Sequence, residues 1–174
     1  YVSKRVSLRK PVVVFMEKGV EALQIFMGIV SAGDFYVLVD PNFPVQRIQQ
    51  ILDVLQPELV ITKVEYREKL TEAKYRGEVA EYCEMNCKED SQLLADIRKQ
   101  SLDTDPLYGI FTSGSTGVPK GVVICHRSVI DFIDCFTEIF QITEQDVIGN
   151  QAPFDFDVSV KDIYSCLKTG ATLV

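Results

Sequence analysis

The chain reads as short apolar blocks separated by amphipathic ones. Residues 12–16 (VVVFM) form an unbroken apolar run of strand length. Residues 19–33 (GVEALQIFMGIVSAG) repeat apolar positions at helical spacing and close on a glycine, as a helix with a C-terminal glycine cap does. Residues 35–39 (FYVLV) predict a second strand. DPNFP predicts a turn after it, with Pro44 in the first turn of a helix that runs to about Leu55. Residues 58–62 (ELVIT) predict a third strand. Strands alternating with helices are the sequence form of an α/β fold, a largely parallel sheet flanked by helices.

From residue 66 to about 105 the chain turns polar and charged, and the strand rhythm lapses. One short surface helix is expected over 92–100 (QLLADIRKQ). The whole stretch is expected to be a peripheral connection without chemistry of its own. Strands return at 107–111 (LYGIF) and 121–125 (GVVIC), followed by an amphipathic helix over 126–140. DVIGNQAP predicts strand and turn, and a last helix is expected from near Asp157 to just before Gly170. No repeat or low-complexity tract interrupts this order.

Length and charge narrow the class. At 174 residues the chain suits one domain or one large fragment, and its ends, Tyr1 and an apolar GATLV, look cut from something longer. No apolar run reaches the roughly 20 residues of a membrane span. The first ten residues do not read as a signal peptide, so a cytoplasmic protein is expected. A net charge of −7 argues against nucleic-acid binding. Lys4, Arg5, Arg9 and Lys10 are the one basic cluster and read as a solvated helix end. Five cysteines include a C-x3-C pair, Cys83 and Cys87, without metal-ligand spacing elsewhere, and His126 is the only histidine. Reduced thiols are expected, and no metal ligands.

The stretch FTSGSTGVPKGV, residues 111–122, has too little apolar matter to pack a core. A run of small residues lets successive backbone N–H groups converge on an anion. Glycine allows the required backbone angles, hydroxyls add donors and Lys120 adds a charge. The Walker and dinucleotide spacings are both absent. On composition alone the loop is either a flexible hairpin connection or a phosphate cradle. A lysine after Val-Pro, between two strands, favours phosphate.

YGIFTSGSTGVPKGV resembles the phosphate-loop motif of the acyl-adenylate-forming superfamily: amino-acid adenylation domains, acyl-CoA synthetases and luciferases. AGDFYVLVDPNFPVQRIQQIL, residues 32–52, resembles the upstream adenylation motif. QAPFDFDVSVKDIY, residues 151–164, resembles the substrate-pocket motif FDxSV, in wording especially close to D-alanine–carrier protein ligases, themselves similar to nonribosomal peptide synthetase adenylation domains. The resemblance implies that residues 1–174 are part of the large N-terminal AMP-binding domain, with 66–105 a peripheral connection within it. It implies ATP-dependent activation of an amino acid as aminoacyl-AMP, with Mg²⁺, and transfer to the phosphopantetheine thiol of a carrier protein. Thr112, Ser113, Gly114, Ser115, Thr116 and Gly117 would wrap the β and γ phosphates, assisted by Lys120. The adenine and ribose motifs and a catalytic lysine belong further downstream in the family, so these residues alone are expected to be inactive.

By its place in F-D-x-S-V, Asp157 would hold the substrate α-ammonium. On residue type alone, an Asp before a helical run reads first as an N-cap, and the motif reverses that order. Lys161 stands four residues on, at a position that lines the side-chain pocket in the family. It would either favour an acidic substrate side chain or pair with Asp157 or Asp162. Asp155 reads as exposed or structural, and His126 as structural rather than catalytic. Two other readings stand beside the first: an acyl-CoA or aryl-acid ligase, against which Asp157 argues, and an inactive nucleotide-binding module.

Overall fold

The computed structural model describes residues 1–85, 90–112 and 119–174. Strands β1 (Pro11–Phe15), β2 (Phe35–Leu38), β3 (Leu59–Thr62), β4 (Glu78–Glu81), β5 (Pro106–Thr112) and β6 (Lys120–Cys125) form one sheet in the order β4-β3-β1-β2-β5-β6. Every neighbouring pair is parallel except β5 and β6.

The central strands are apolar on both faces because both faces are covered. Side chains alternate along a strand, and the alternation divides the core in two. Val12, Val14 and Met16, with Tyr36, Leu38, Leu59 and Ile61, pack on helices α1 (Val20–Ser31), α5 (His126–Ile139) and α6 (Val158–Thr169). Val13 and Phe15, with Val37, Val39 and Val60, pack on α2 (Val45–Leu55) and α3 (Arg67–Glu72). Residues 12–16 are wholly withdrawn from solvent, each apolar side chain contributing about 1.5–3 kcal/mol. Helix α1 buries Ala22, Ile25, Phe26 and Ile29, a single stripe at helical spacing. It ends beside Gly33, whose φ of +82° is the left-handed conformation a glycine cap supplies. Gly170 closes α6 in the same way at +83°.

The polar stretch departs from expectation. It holds α3, and Glu78–Glu81 is the edge strand of the sheet, parallel to β3. Of the four residues of β4, only Ala80 is fully buried, so no apolar run announces it. The expected helix is present as α4 (Ser91–Gln100), capped by the Asp90 carboxylate, which accepts from the Leu93 N–H at 3.2 Å. A second departure lies near residue 172. The short strand β7 (Val147–Ile148) pairs in parallel with β8 (Thr172–Leu173), which the sequence pattern leaves unassigned.

Candidate functional site

The parallel strands all end at one edge of the sheet, where open α/β sheets bind ligands. β5 ends there at Thr112 and β6 begins there at Lys120, directly opposite across the ladder. Opposed residues share a face. Thr112 and Lys120 therefore project to the side that carries α5 and α6, in line with Tyr108 and Ile110. Both are exposed, and the Thr112 hydroxyl donates to the Lys120 carbonyl at 3.5 Å. Ser113, Gly114, Ser115, Thr116 and Gly117, the rest of the expected phosphate loop, lie outside the described residues, as does Cys87.

Asp157 sits at the N-cap position of α6, yet its side chain makes no capping hydrogen bond. The role that residue type alone suggests is not the one its carboxylate performs. Among the described residues that carboxylate has no cation at ion-pair distance. Asp157 borders two clefts. One, of about 340 Å³, is walled by Tyr108, Ile124, Val129, Phe132 and Lys161. The other, of about 320 Å³, is walled by Arg47, Ile110, Thr112 and Asp155. Asp157 therefore stands between an apolar recess and the end of β5. Its charge is felt by Tyr108, whose phenol is raised above its ordinary pKa by burial first and by the Asp157 carboxylate second.

Lys161 lines the apolar cleft but does not pair with Asp157. Its Nζ lies 2.5 Å from Oδ1 of the buried Asp162. The other oxygen of Asp162 accepts from Asn150 Nδ2 at 3.1 Å, and Asn150 Oδ1 in turn takes Lys18 Nζ at 3.3 Å. Below the cleft, Tyr36 on β2 stacks on Phe26 with ring centroids 3.9 Å apart. The Tyr36 hydroxyl meets that of Tyr164 on α6 at 3.2 Å. This ties the helix that starts at Asp157 to the middle of the sheet.

Two residues of the second cleft escape sequence reasoning in their role. Arg47 lies on α2, stacks over the Phe43 ring at 4.8 Å, and has a buried Nε without a hydrogen-bond partner among the described residues. In sequence it reads as one of several polar residues on an amphipathic helix. Asp155 is half-buried rather than fully exposed. Burial raises its carboxyl above the usual range, the Asp40 charge adds to this, and Arg47 opposes it. The signal that could have found Asp155 is its place two residues before Asp157, on the same short segment.

His126 belongs elsewhere. It begins α5 beside the start of β5, roughly 20 Å of strand away from Thr112. Its backbone N–H donates to the Asp105 carbonyl at 3.1 Å, and burial of the ring lowers its pKa. Among the described residues, Cys83, Cys125, Cys135 and Cys166 are free thiols, and no group of three or more His, Cys, Asp or Glu side chains is placed to hold a metal. No described helix is long and apolar enough to cross a membrane.

Comparison with known proteins gives the family and the fold. A family model described as AMP-binding enzyme matches residues 4–174. Tyrocidine synthase 1 of Brevibacillus parabrevis is 36% identical over 160 residues, which cover 92% of this chain and 14% of that protein. D-alanine--D-alanyl carrier protein ligase of Staphylococcus aureus (strain Newman) is 36% identical over 165 residues, 95% of this chain and 33% of that protein. The solved nonribosomal peptide synthetase FmoA3, in its alpha-methyl-L-serine-AMP bound form, superposes with a TM-score of 0.81 at 28% identity, over 97% of this chain and 18% of that one. The chain thus spans a third or less of the length of these relatives.

Proposed function

The chain belongs to the AMP-binding enzyme family, and from that premise we propose that it forms part of an enzyme that activates an amino acid with ATP. The substrate carboxylate attacks the α-phosphorus of ATP. A carboxylate oxygen bonds to phosphorus, the bond to the bridging oxygen breaks, and pyrophosphate leaves with its electrons. The aminoacyl-AMP then passes its acyl group to the phosphopantetheine thiol of a carrier protein, and AMP departs. The names of the relatives support this reading: one includes D-alanine and a carrier protein, another a bound aminoacyl-AMP.

The observation that carries the proposal is Asp157. A carboxylate without a cation among the described residues, at the meeting of an apolar cleft and the end of β5, is suited to an α-ammonium. Holding it there directs the substrate carboxylate toward the sheet edge, a positioning contribution. Thr112 and Lys120 flank the loop that would take the β and γ phosphates, with Ser113, Gly114, Ser115, Thr116 and Gly117 between them. Lys120 is exposed and would meet the phosphate charge. Mg²⁺ would supply charge neutralisation at the phosphates.

The test is amino-acid-dependent exchange of labelled pyrophosphate into ATP by the full-length protein. Exchange with α-amino acids, and none with the matching acids that lack the amine, is expected. Exchange driven equally by the des-amino acids would replace this reading with an acyl-CoA or aryl-acid ligase.

A further inference from the structure

Lys161 and Asp157 both line the 340 Å³ cleft, so its preference turns on which charge is free. The Lys161 charge is not. Its ammonium lies 2.5 Å from Asp162, whose side chain is only 7% exposed. Asp162 has no other cation among the described residues, and its second oxygen is fixed by Asn150. A buried carboxylate stripped of its one cation is a costly state. A ligand that drew Lys161 away would leave Asp162 in that state. The remaining walls carry no formal charge: Ile124, Val129, Phe132, Val158 and Val160 are apolar, and Tyr108 and Ser128 add only hydroxyls.

On the reading that Asp157 receives the α-ammonium, we infer that the cleft takes an amino acid with an uncharged, apolar side chain. Lys161 contributes its alkyl stem as wall and spends its charge on Asp162. The acidic substrate that a lysine at this position would otherwise favour is thereby disfavoured. An incoming carboxylate would meet a compensated cation and, close by, the carboxylates of Asp157 and Asp162.

Pyrophosphate exchange with a panel of alanine, leucine, phenylalanine, aspartate, glutamate and lysine tests this in the full-length protein. An uncharged member is expected to lead aspartate and glutamate by about tenfold or more in kcat/KM. The double variant Lys161→Met with Asp162→Asn, which removes both charges together, is expected to keep an uncharged substrate ahead of aspartate and glutamate. Asp162→Asn releases the Lys161 charge, and aspartate and glutamate are expected to gain roughly tenfold relative to the uncharged substrate. Should the asparagine variant fail to fold, the wild-type panel and the double variant still decide. Aspartate or glutamate as best substrate overturns the inference and leaves amino-acid activation standing. Lysine as best substrate overturns it too. Exchange with no amino acid at all instead removes the reading on which it rests.

Discussion

Replacing Asp157 with asparagine and, separately, with alanine separates two roles that one residue type can play. An N-cap uses its side-chain oxygen, and asparagine caps as well as aspartate. An ammonium ligand uses its charge, which asparagine lacks. Here the side chain makes no capping bond, so the 0.5–2 kcal/mol range typical of losing a cap does not apply. What remains for stability is the helix dipole, about 0.3–1 kcal/mol for an anion at a first turn, and both variants lose it alike. For binding, Asp157 is exposed in the free protein, so a fully desolvated pair is too strong a reference. A hydrogen bond to a charged group, about 1.5–3 kcal/mol, is the better scale and corresponds to roughly 10- to 150-fold. Both variants are therefore expected to raise the KM for the amino acid by that factor. The KM for ATP should stay close to wild type, and both melting curves should shift equally and slightly. Pyrophosphate exchange at varied amino acid, together with thermal denaturation, measures all three. The reasoning fails if Asp157→Asn keeps the wild-type amino-acid KM while Asp157→Ala alone loses stability. That pattern is the signature of a cap.

Lys120→Ala is expected to weaken use of ATP by roughly 10- to 150-fold in kcat/KM, as loss of a charge-assisted phosphate contact would, with little change in melting temperature because the side chain is exposed. Unchanged ATP kinetics would remove it from the site. Asp34 is 1% exposed, with one buried oxygen unpartnered, and burial raises its pKa from 3.8 to about 6. Its folded state favours the protonated form, so the stability it contributes is present below pH 4 and declines as pH rises through about 6. Asp34→Asn, measured by urea denaturation, should therefore stabilise at pH 7 by up to about 3 kcal/mol and lose that advantage near pH 4; an equal effect at both values would refute the assignment. Gly33 and Gly170 share a left-handed backbone, but a Cβ at Gly33 would lie 2.8 Å from Ile97 and Leu8, whereas at Gly170 its nearest neighbour is 3.5 Å away. Gly33→Ala should cost clearly more than the roughly 1 kcal/mol of backbone strain expected for Gly170→Ala, and denaturation midpoints in the reverse order would contradict it.

The sheet is legible in the sequence where burial is two-sided. Val12 to Met16 and Leu59 to Thr62 are apolar at every position but one because both faces are covered, and such runs stand out. β4 is hidden for the opposite reason: it lies at an edge and is charged at both ends. The candidate site is legible in its motifs, and the fold brings Thr112, Lys120 and Asp157 to the same edge. The partner of Lys161 is not legible. Asp157 and Asp162 are both within reach along the chain, and the choice depends on Asn150, twelve residues from Asp162, holding the second oxygen. Arg47 is hidden similarly, since its proximity to Asp155 spans more than a hundred residues of chain.

The alternation of β1 between two cores has a consequence for how the protein can change. Val12, Val14 and Met16 belong to one core, Val13 and Phe15 to the other. Adding or deleting one residue within β1 would exchange the two sets and send each side chain into a space shaped for its neighbour. Substitution by a residue of similar volume is a small perturbation at these positions, while a change in length is felt on both sides of the sheet at once. Insertion scanning should therefore find β1 closed to new residues while the α3–β4 turn accepts them, so that variation in length is confined to the periphery and the strand retains its length.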